Sequence, residues 1–223
     1  MTVRRGEDWG ERGPLPAGAV VAGTDAELID AVRAGLATDP SAHGPDGTYQ
    51  QHLGDVGLVG GDLHRTLGAP RHTVAELLEG YGMRLQVDIC CVEVSDGAET
   101  AVARYFCAHL VAMQGRGALF ARRTLIAMNA AFRGDQNLAP RAHPGDGTID
   151  TIEGSLGFWD RSRARRRFAT GTHLPHPQLA YRRITEARYE FASPARLVLD
   201  GRDAFHARRF RIRCLPDAVT VVV

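Results

Sequence analysis

Pro144-Gly145-Asp146-Gly147-Thr148-Ile149-Asp150 is the stretch whose reading decides the fold. An Asp-Gly step flanked by Gly and Pro is turn chemistry, because Asp bonds its own backbone and Gly accepts left-handed angles. Behind it, Thr148–Ile152 alternates apolar and polar residues, the period of a strand. The stretch is a turn entering a strand, with Asp146 in the turn and Asp150 on the strand. Two readings fit this pair. It is an ordinary hairpin turn, or it supplies a base and a metal ligand.

The same two-residue period runs through most of the chain beyond residue 83. Leu85, Val87 and Ile89 alternate with polar neighbours, and Asp96-Gly97 signals a hairpin between this run and Ala101–Met113. Further strands are expected at Thr124–Met128, Ala187–Phe191, Arg196–Leu199, Phe205–Leu215 and Ala218–Val223, with a turn at Asp200-Gly201. Arg161–Phe168 interrupts them as a basic helical turn or two. Upstream the pattern differs. Ala19–Ala22 is a short apolar run, and Thr24 caps a helix from Asp25 to about Ala37 with the stripe Leu28, Ile29, Val32 and Leu36. Thr38–Gln51 is a polar loop, Val56–Val59 a second strand, and Thr73 caps a short helix ending at Gly80 or Gly82. The expected organisation is a loose tail over 1–17, a β/α unit over 18–82 and an antiparallel β unit over 83–223.

Composition narrows the chemistry. The 223 residues are 44% hydrophobic and 24% charged, ordinary globular usage. The net charge of +1 steers the chain toward neither nucleic acid nor membrane. All 27 basic residues are arginine, which excludes a P-loop, protein-kinase or Schiff-base lysine. The four cysteines, Cys90, Cys91, Cys107 and Cys214, lack C-x-x-C spacing and sit in apolar runs, so they read as buried thiols of a cytoplasmic protein. The N-terminus lacks a signal-peptide apolar run, and no run reaches membrane-spanning length.

Three further polar segments carry two readings each. Gly23-Thr24-Asp25-Ala26-Glu27 follows a strand and opens a helix, which suits a phosphate; Thr24 with Glu27 also suits a plain capping box, and the acids Asp25 and Glu27 repel an anion. In Gly60-Gly61-Asp62-Leu63-His64-Arg65, the glycines let backbone approach a ligand. There, Asp62 holds a metal or caps a helix, and Arg65 pairs with Asp62 or faces a phosphate. Gly171-Thr172-His173-Leu174-Pro175-His176-Pro177 has two histidines three apart, but its prolines oppose a helical zinc site and it lacks a third ligand. The arginine run before it is a solvated face or meets anionic headgroups.

In order along the chain, these pieces resemble the diacylglycerol kinase catalytic family, the soluble bacterial lipid kinases related to sphingosine kinase and, more distantly, NAD kinase. The family's GGDGT-L is matched by Gly23–Leu28, and its GTGNDFARTLG by Leu58–Gly68. Its NG-x-Y strand, AP-x-A step and DG-x-LD turn are matched by Met128–Gly134, Leu138–Ala142 and Asp146–Asp150. Its GTH-x-x-HP matches Gly171–Pro177, and its closing DGE turn and F-x-V-x-x-LP-x-AL strand match Asp200–Arg202 and Phe210–Val221. The match covers about residues 19–223. Within it, Ala26 and Glu27 replace the last Gly-Thr of the phosphate loop.

The resemblance implies an α+β fold: a truncated Rossmann-like α/β N-terminal domain, then an antiparallel β-sandwich, with the last strand packing back on the first domain. It implies ATP and Mg²⁺ as cofactors and phosphoryl transfer to a lipid hydroxyl. Asp146 and Asp150 take the catalytic and metal positions. Gly23, Asp25, Gly60, Gly61, Asp62 and Arg65 line the nucleotide side. The alternative is an inactive pseudokinase that binds a lipid, nucleotide or protein. The expected partners are a lipid or other small hydroxyl acceptor, with no nucleic acid, at most peripheral membrane contact, and a homodimer through the apolar edge near Ala19–Ala22.

Overall fold

Residues 9–38, 53–94, 102–115, 123–155 and 179–223 are described by the computed structural model. Their elements run β1 (Glu11–Arg12), β2 (Val21–Ala22), α1 (Asp25–Thr38), β3 (Leu53–Leu58), α2 (Gly61–Leu67), α3 (Val74–Leu78), β4 (Met83–Val94), β5 (Val102–Phe106) and β6 (His109–Gln114). They continue with β7 (Arg123–Met128), β8 (Phe132–Arg133), β9 (Gln136–Asn137), β10 (Ile149–Gly154), β11 (Leu179–Ile184), β12 (Glu186–Leu199) and β13 (Arg202–Val222). The Asp96-Gly97 hairpin, the Arg161–Phe168 segment and the Gly171–Pro177 loop lie outside the described residues.

Most of the described residues form one 11-stranded, largely antiparallel sheet ordered β1-β4-β13-β12-β6-β7-β10-β11, with β5 on β4 and β3 on β13. The exception is its corner near the N-terminus, where β3 runs parallel to both β2 and the end of β13. Helix α1 covers that corner through Leu28, Ile29 and Val32, which are buried against Val56, Leu58, Val87 and Val219. The alternation in β4 feeds two cores. Leu85, Val87, Ile89 and Cys91 join the α1 side, while Cys90 and Val92 meet Phe106, Phe191 and Phe210 on the other. Adjacent cysteines on opposite faces follow from the strand period. All four cysteines are buried and free. Burial pushes the Cys91 thiol up to about 11.

Tertiary contacts redraw four boundaries. The expected strand Ala101–Met113 breaks at Cys107-Ala108, because the Asp200 carboxylate takes the N–H groups of Cys107, Ala108 and His109 at 2.8, 3.0 and 2.8 Å. Those donors are no longer free for a straight ladder. The expected strands at Phe205 and Ala218 are one strand, β13. It crosses Pro216 through a register shift between Leu215 and Val219. There Asp217 takes a φ of 52° and donates its N–H to Asp88 at 3.0 Å. Likewise β12 joins Ala187–Phe191 to Arg196–Leu199 through a bulge between Glu190 and Ala195. Residues 9–17 are docked and not loose: β1 pairs with β4, Leu15 is buried, and the Trp9 ring lies 4.5 Å from that of His143. Among the described residues, no helix is long and apolar enough to cross a membrane.

Candidate active site

Two polar centres emerge. The first gathers Gly23, Asp25, Gly60, Gly61, Asp62 and Arg65, the whole set expected on the nucleotide side. Asp25 opens α1, yet its carboxylate serves α2, accepting the N–H groups of Asp62 at 2.7 Å and Leu63 at 3.0 Å. Asp25 is therefore the anchor for a neighbouring helix start, a role its place in the sequence does not announce. Burial pushes its carboxyl up to about 6; the nearby Asp200 carboxylate adds to the rise and the two N–H bonds oppose it.

The paired glycines serve this contact. A Cβ on Gly61, whose φ is +99°, would stand 2.4 Å from the Asp25 carboxylate, and one on Gly60 would stand 2.4 Å from the Gly23 carbonyl. The backbone they bring close is the protein's own. Asp62 does not cap its helix, and Arg65 does not pair with it. Asp62 instead accepts the Gly134 N–H at 2.8 Å. Arg65 reaches the Gly134 carbonyl at 2.6 Å and the Asp135 carboxylate at 3.2 Å, over the Phe132 ring at 4.4 Å. The hairpin of β8 and β9 lies too far along the chain for an i+3 rule to find.

The start of α1 is occupied. Gly23 donates its N–H to the Glu27 carboxylate at 2.7 Å, and Glu27 donates its own to Thr24 Oγ1 at 3.2 Å. This is a capping box shifted by one residue, since Glu27 reaches past Thr24. Arg202 donates to Thr24 Oγ1 at 3.3 Å and lies 3.9 Å from both Glu27 and Asp30. Of the donors that attract phosphate at a helix start, the Gly23 N–H is already bound to a carboxylate here and the Glu27 N–H to a hydroxyl. The triphosphate of ATP does not fit this corner as it stands.

The second centre holds Asp146 and Asp150. Asp146 accepts the Thr148 N–H and hydroxyl at 3.0 and 2.6 Å and is ion-paired with Arg183. The same guanidinium lies 3.4 Å from buried Asp150. The Tyr181 hydroxyl approaches Asp150, but among the described residues neither it nor an Asp150 oxygen meets a partner at good hydrogen-bond geometry. Burial raises the Asp150 carboxyl and Asp146 adds to this, while Tyr181 and Arg183 oppose it. Arg183 thus supplies the counter-charge that Mg²⁺ is expected to supply, so this pair does not fit the ion. Among the described residues, no three acids, histidines or cysteines are arranged to hold a metal.

Sequence reasoning missed the residues behind these centres. Asp88 sits on the polar phase of β4, where alternation points it to solvent, yet it is fully buried. It accepts the Gly147 N–H at 2.7 Å and ties the Asp146 turn to the bulge at Asp217. Burial pushes its carboxyl up to about 7, the Gly147 bond opposes this, and Asp146 adds to it. Asn129 donates to the carbonyls of Asp88 at 3.0 Å and Cys107 at 2.8 Å, which ties the end of β7 to β4 and to the break between β5 and β6. His109 Nδ1 lies 3.3 Å from Asp200, and its Nε2 lies 3.9 Å from Asp62. The Asp200-Gly201 turn was the one signal that could have located this last group.

No protein-family model and no curated protein matches the chain. Solved structures do. A diacylglycerol kinase from Bacillus anthracis str. Sterne superposes with a TM-score of 0.50 at 15% identity, covering 75% of this chain and 66% of that one. The chain has the diacylglycerol kinase fold. A further structure from that organism, described as a candidate diacylglycerol kinase, gives 0.54 at 13% identity over 75% of this chain and 68% of that one. A yeast NADH kinase solved with NADH lies further off, at 0.42 and 9% identity over 91% and 60%. The chain spans about two thirds of the length of the two B. anthracis structures, at 66% and 68%.

Proposed function

We propose that this chain is a divergent lipid-kinase-like protein whose cleft binds a phosphate-bearing ligand and whose ATP-dependent transfer to a lipid hydroxyl has been lost. On this reading the corner around α1 is a truncated Rossmann-like unit set against a β-sandwich. The observation that carries it is the Glu27 carboxylate on the Gly23 N–H at 2.7 Å. A carboxylate held there repels a triphosphate, and the nearby Arg202 guanidinium already faces Glu27 and Asp30. Arg183 between Asp146 and Asp150 points the same way, because a base tied to a guanidinium is a poor proton acceptor.

The active reading is a lipid kinase using ATP and Mg²⁺, with Asp146 as the base. It draws on the fold likeness and on the preserved Asp146–Asp150 pattern. One experiment separates the two. Labelled ATP with Mg²⁺ is offered with diacylglycerol and long-chain-base extracts, and product is followed by chromatography. The wild-type chain is expected to give no labelled lipid. Labelled lipid that disappears in Asp146→Asn, with folding intact, establishes the active reading instead.

A further inference from the structure

Beside the closed α1 corner lies an open cavity of about 760 Å³, rimmed by Gly60, Gly61, Gly68 and Gly134 and carrying Arg65 and Arg71. That size suits a small-molecule ligand. The glycine rim leaves backbone groups within reach of whatever enters. Asp62, on the same wall, is committed to the Gly134 N–H.

The two arginines differ in their commitments. Arg71 lines the cavity and forms no ion pair among the described residues. Arg65 is held over Phe132 by the Gly134 carbonyl and by Asp135. The Asp135 side chain is 104% exposed, so its pair with Arg65 is screened and weak. A phosphate dianion offers a guanidinium two oxygens and more charge than a single carboxylate. Such a group can take the place of Asp135 on Arg65 while the Phe132 ring and the Gly134 carbonyl still orient the guanidinium.

We propose that Arg65 and Arg71 form the phosphate seat of this protein, and that Asp135 is a built-in competitor that occupies Arg65 until a phosphate arrives. This rests on the reading above that the cleft takes a phosphate-bearing ligand, and it places that group away from the α1 corner. The phosphate belongs to a nucleotide or to a phosphorylated headgroup.

The test is calorimetric titration of the full chain at low salt with ATP, inorganic pyrophosphate and glycerol 3-phosphate. Asp135→Asn should tighten binding about two- to fivefold, the scale of an exposed ion pair. Arg71→Gln should weaken it by about the same factor or more, and Arg196→Gln, an exposed arginine on β12, should leave it unchanged. Preference for ATP identifies a nucleotide, and preference for glycerol 3-phosphate a headgroup. If ligand binds but Asp135→Asn and Arg71→Gln behave like Arg196→Gln, the seat is elsewhere and only this inference fails. If none of the three ligands binds at millimolar concentration, the inference and the binding function fail together.

Discussion

At the α1 corner, carboxylates stand on backbone N–H groups: Glu27 on Gly23, and Asp25 on Asp62 and Leu63. At the Asp146 turn, a guanidinium stands between two carboxylates. Each centre holds, from its own chain, the charge that a kinase takes from outside: an anion at the helix start and a cation at the acid pair. The two share a pattern of burial. Asp25 and Asp150 are buried, whereas Glu27 is 49% and Arg183 46% exposed at the side chain. Each centre thus combines a buried carboxylate with a half-exposed charged side chain.

The comparison breaks most readily at Asp25. Asp25→Ala strands two donors at the start of α2, one of them buried, and should cost about 2 kcal/mol in urea unfolding. A loss near zero means that water replaces the carboxylate and the corner is looser than drawn. Arg183→Ala should cost about 1 kcal/mol, less than a fully buried pair because the guanidinium is half-exposed. It should also make the melting temperature rise on adding millimolar Mg²⁺, which the wild type should not show. Mg²⁺ stabilisation of the wild type contradicts the idea that Arg183 fills the cation's place.

A third effect depends on pH. Asp25 and Asp88 have folded-state carboxyls raised to about 6 and about 7 from an ordinary 3.8. Their contribution is full below about pH 4, where folded and unfolded forms are both protonated. It is lost as pH rises toward 7, because the unfolded chain ionises freely while the buried groups resist. Melting temperatures between pH 4 and 8 should therefore fall on this account, and Asp88→Asn should flatten the upper part of the curve. Smallest of all, Glu27→Gln should cost about 0.5 kcal/mol, as for a partly exposed helix-start bond. Its value lies in the accompanying titration: pyrophosphate affinity that rises in Glu27→Gln reopens the α1 corner as a phosphate site.

The sequence by itself determined the periods. Apolar alternation placed β4, β7, β10, β12 and β13, and helical spacing placed α1, because burying one face is a local, additive requirement. The family resemblance carried by its motifs also put Gly23, Asp25, Gly60, Gly61, Asp62 and Arg65 into one group. Only tertiary structure decided what those groups do. Asp25 caps a helix 37 residues away, Arg65 turns to a hairpin 69 residues away, and Arg183 crosses to Asp146 over 37 residues. Asp88 is buried on the phase of its strand that alternation assigns to water. The reason is physical. Periodicity reports which face meets a core, but the partner of a charge is set by whichever distant segment the sheet brings within about 3 Å of it.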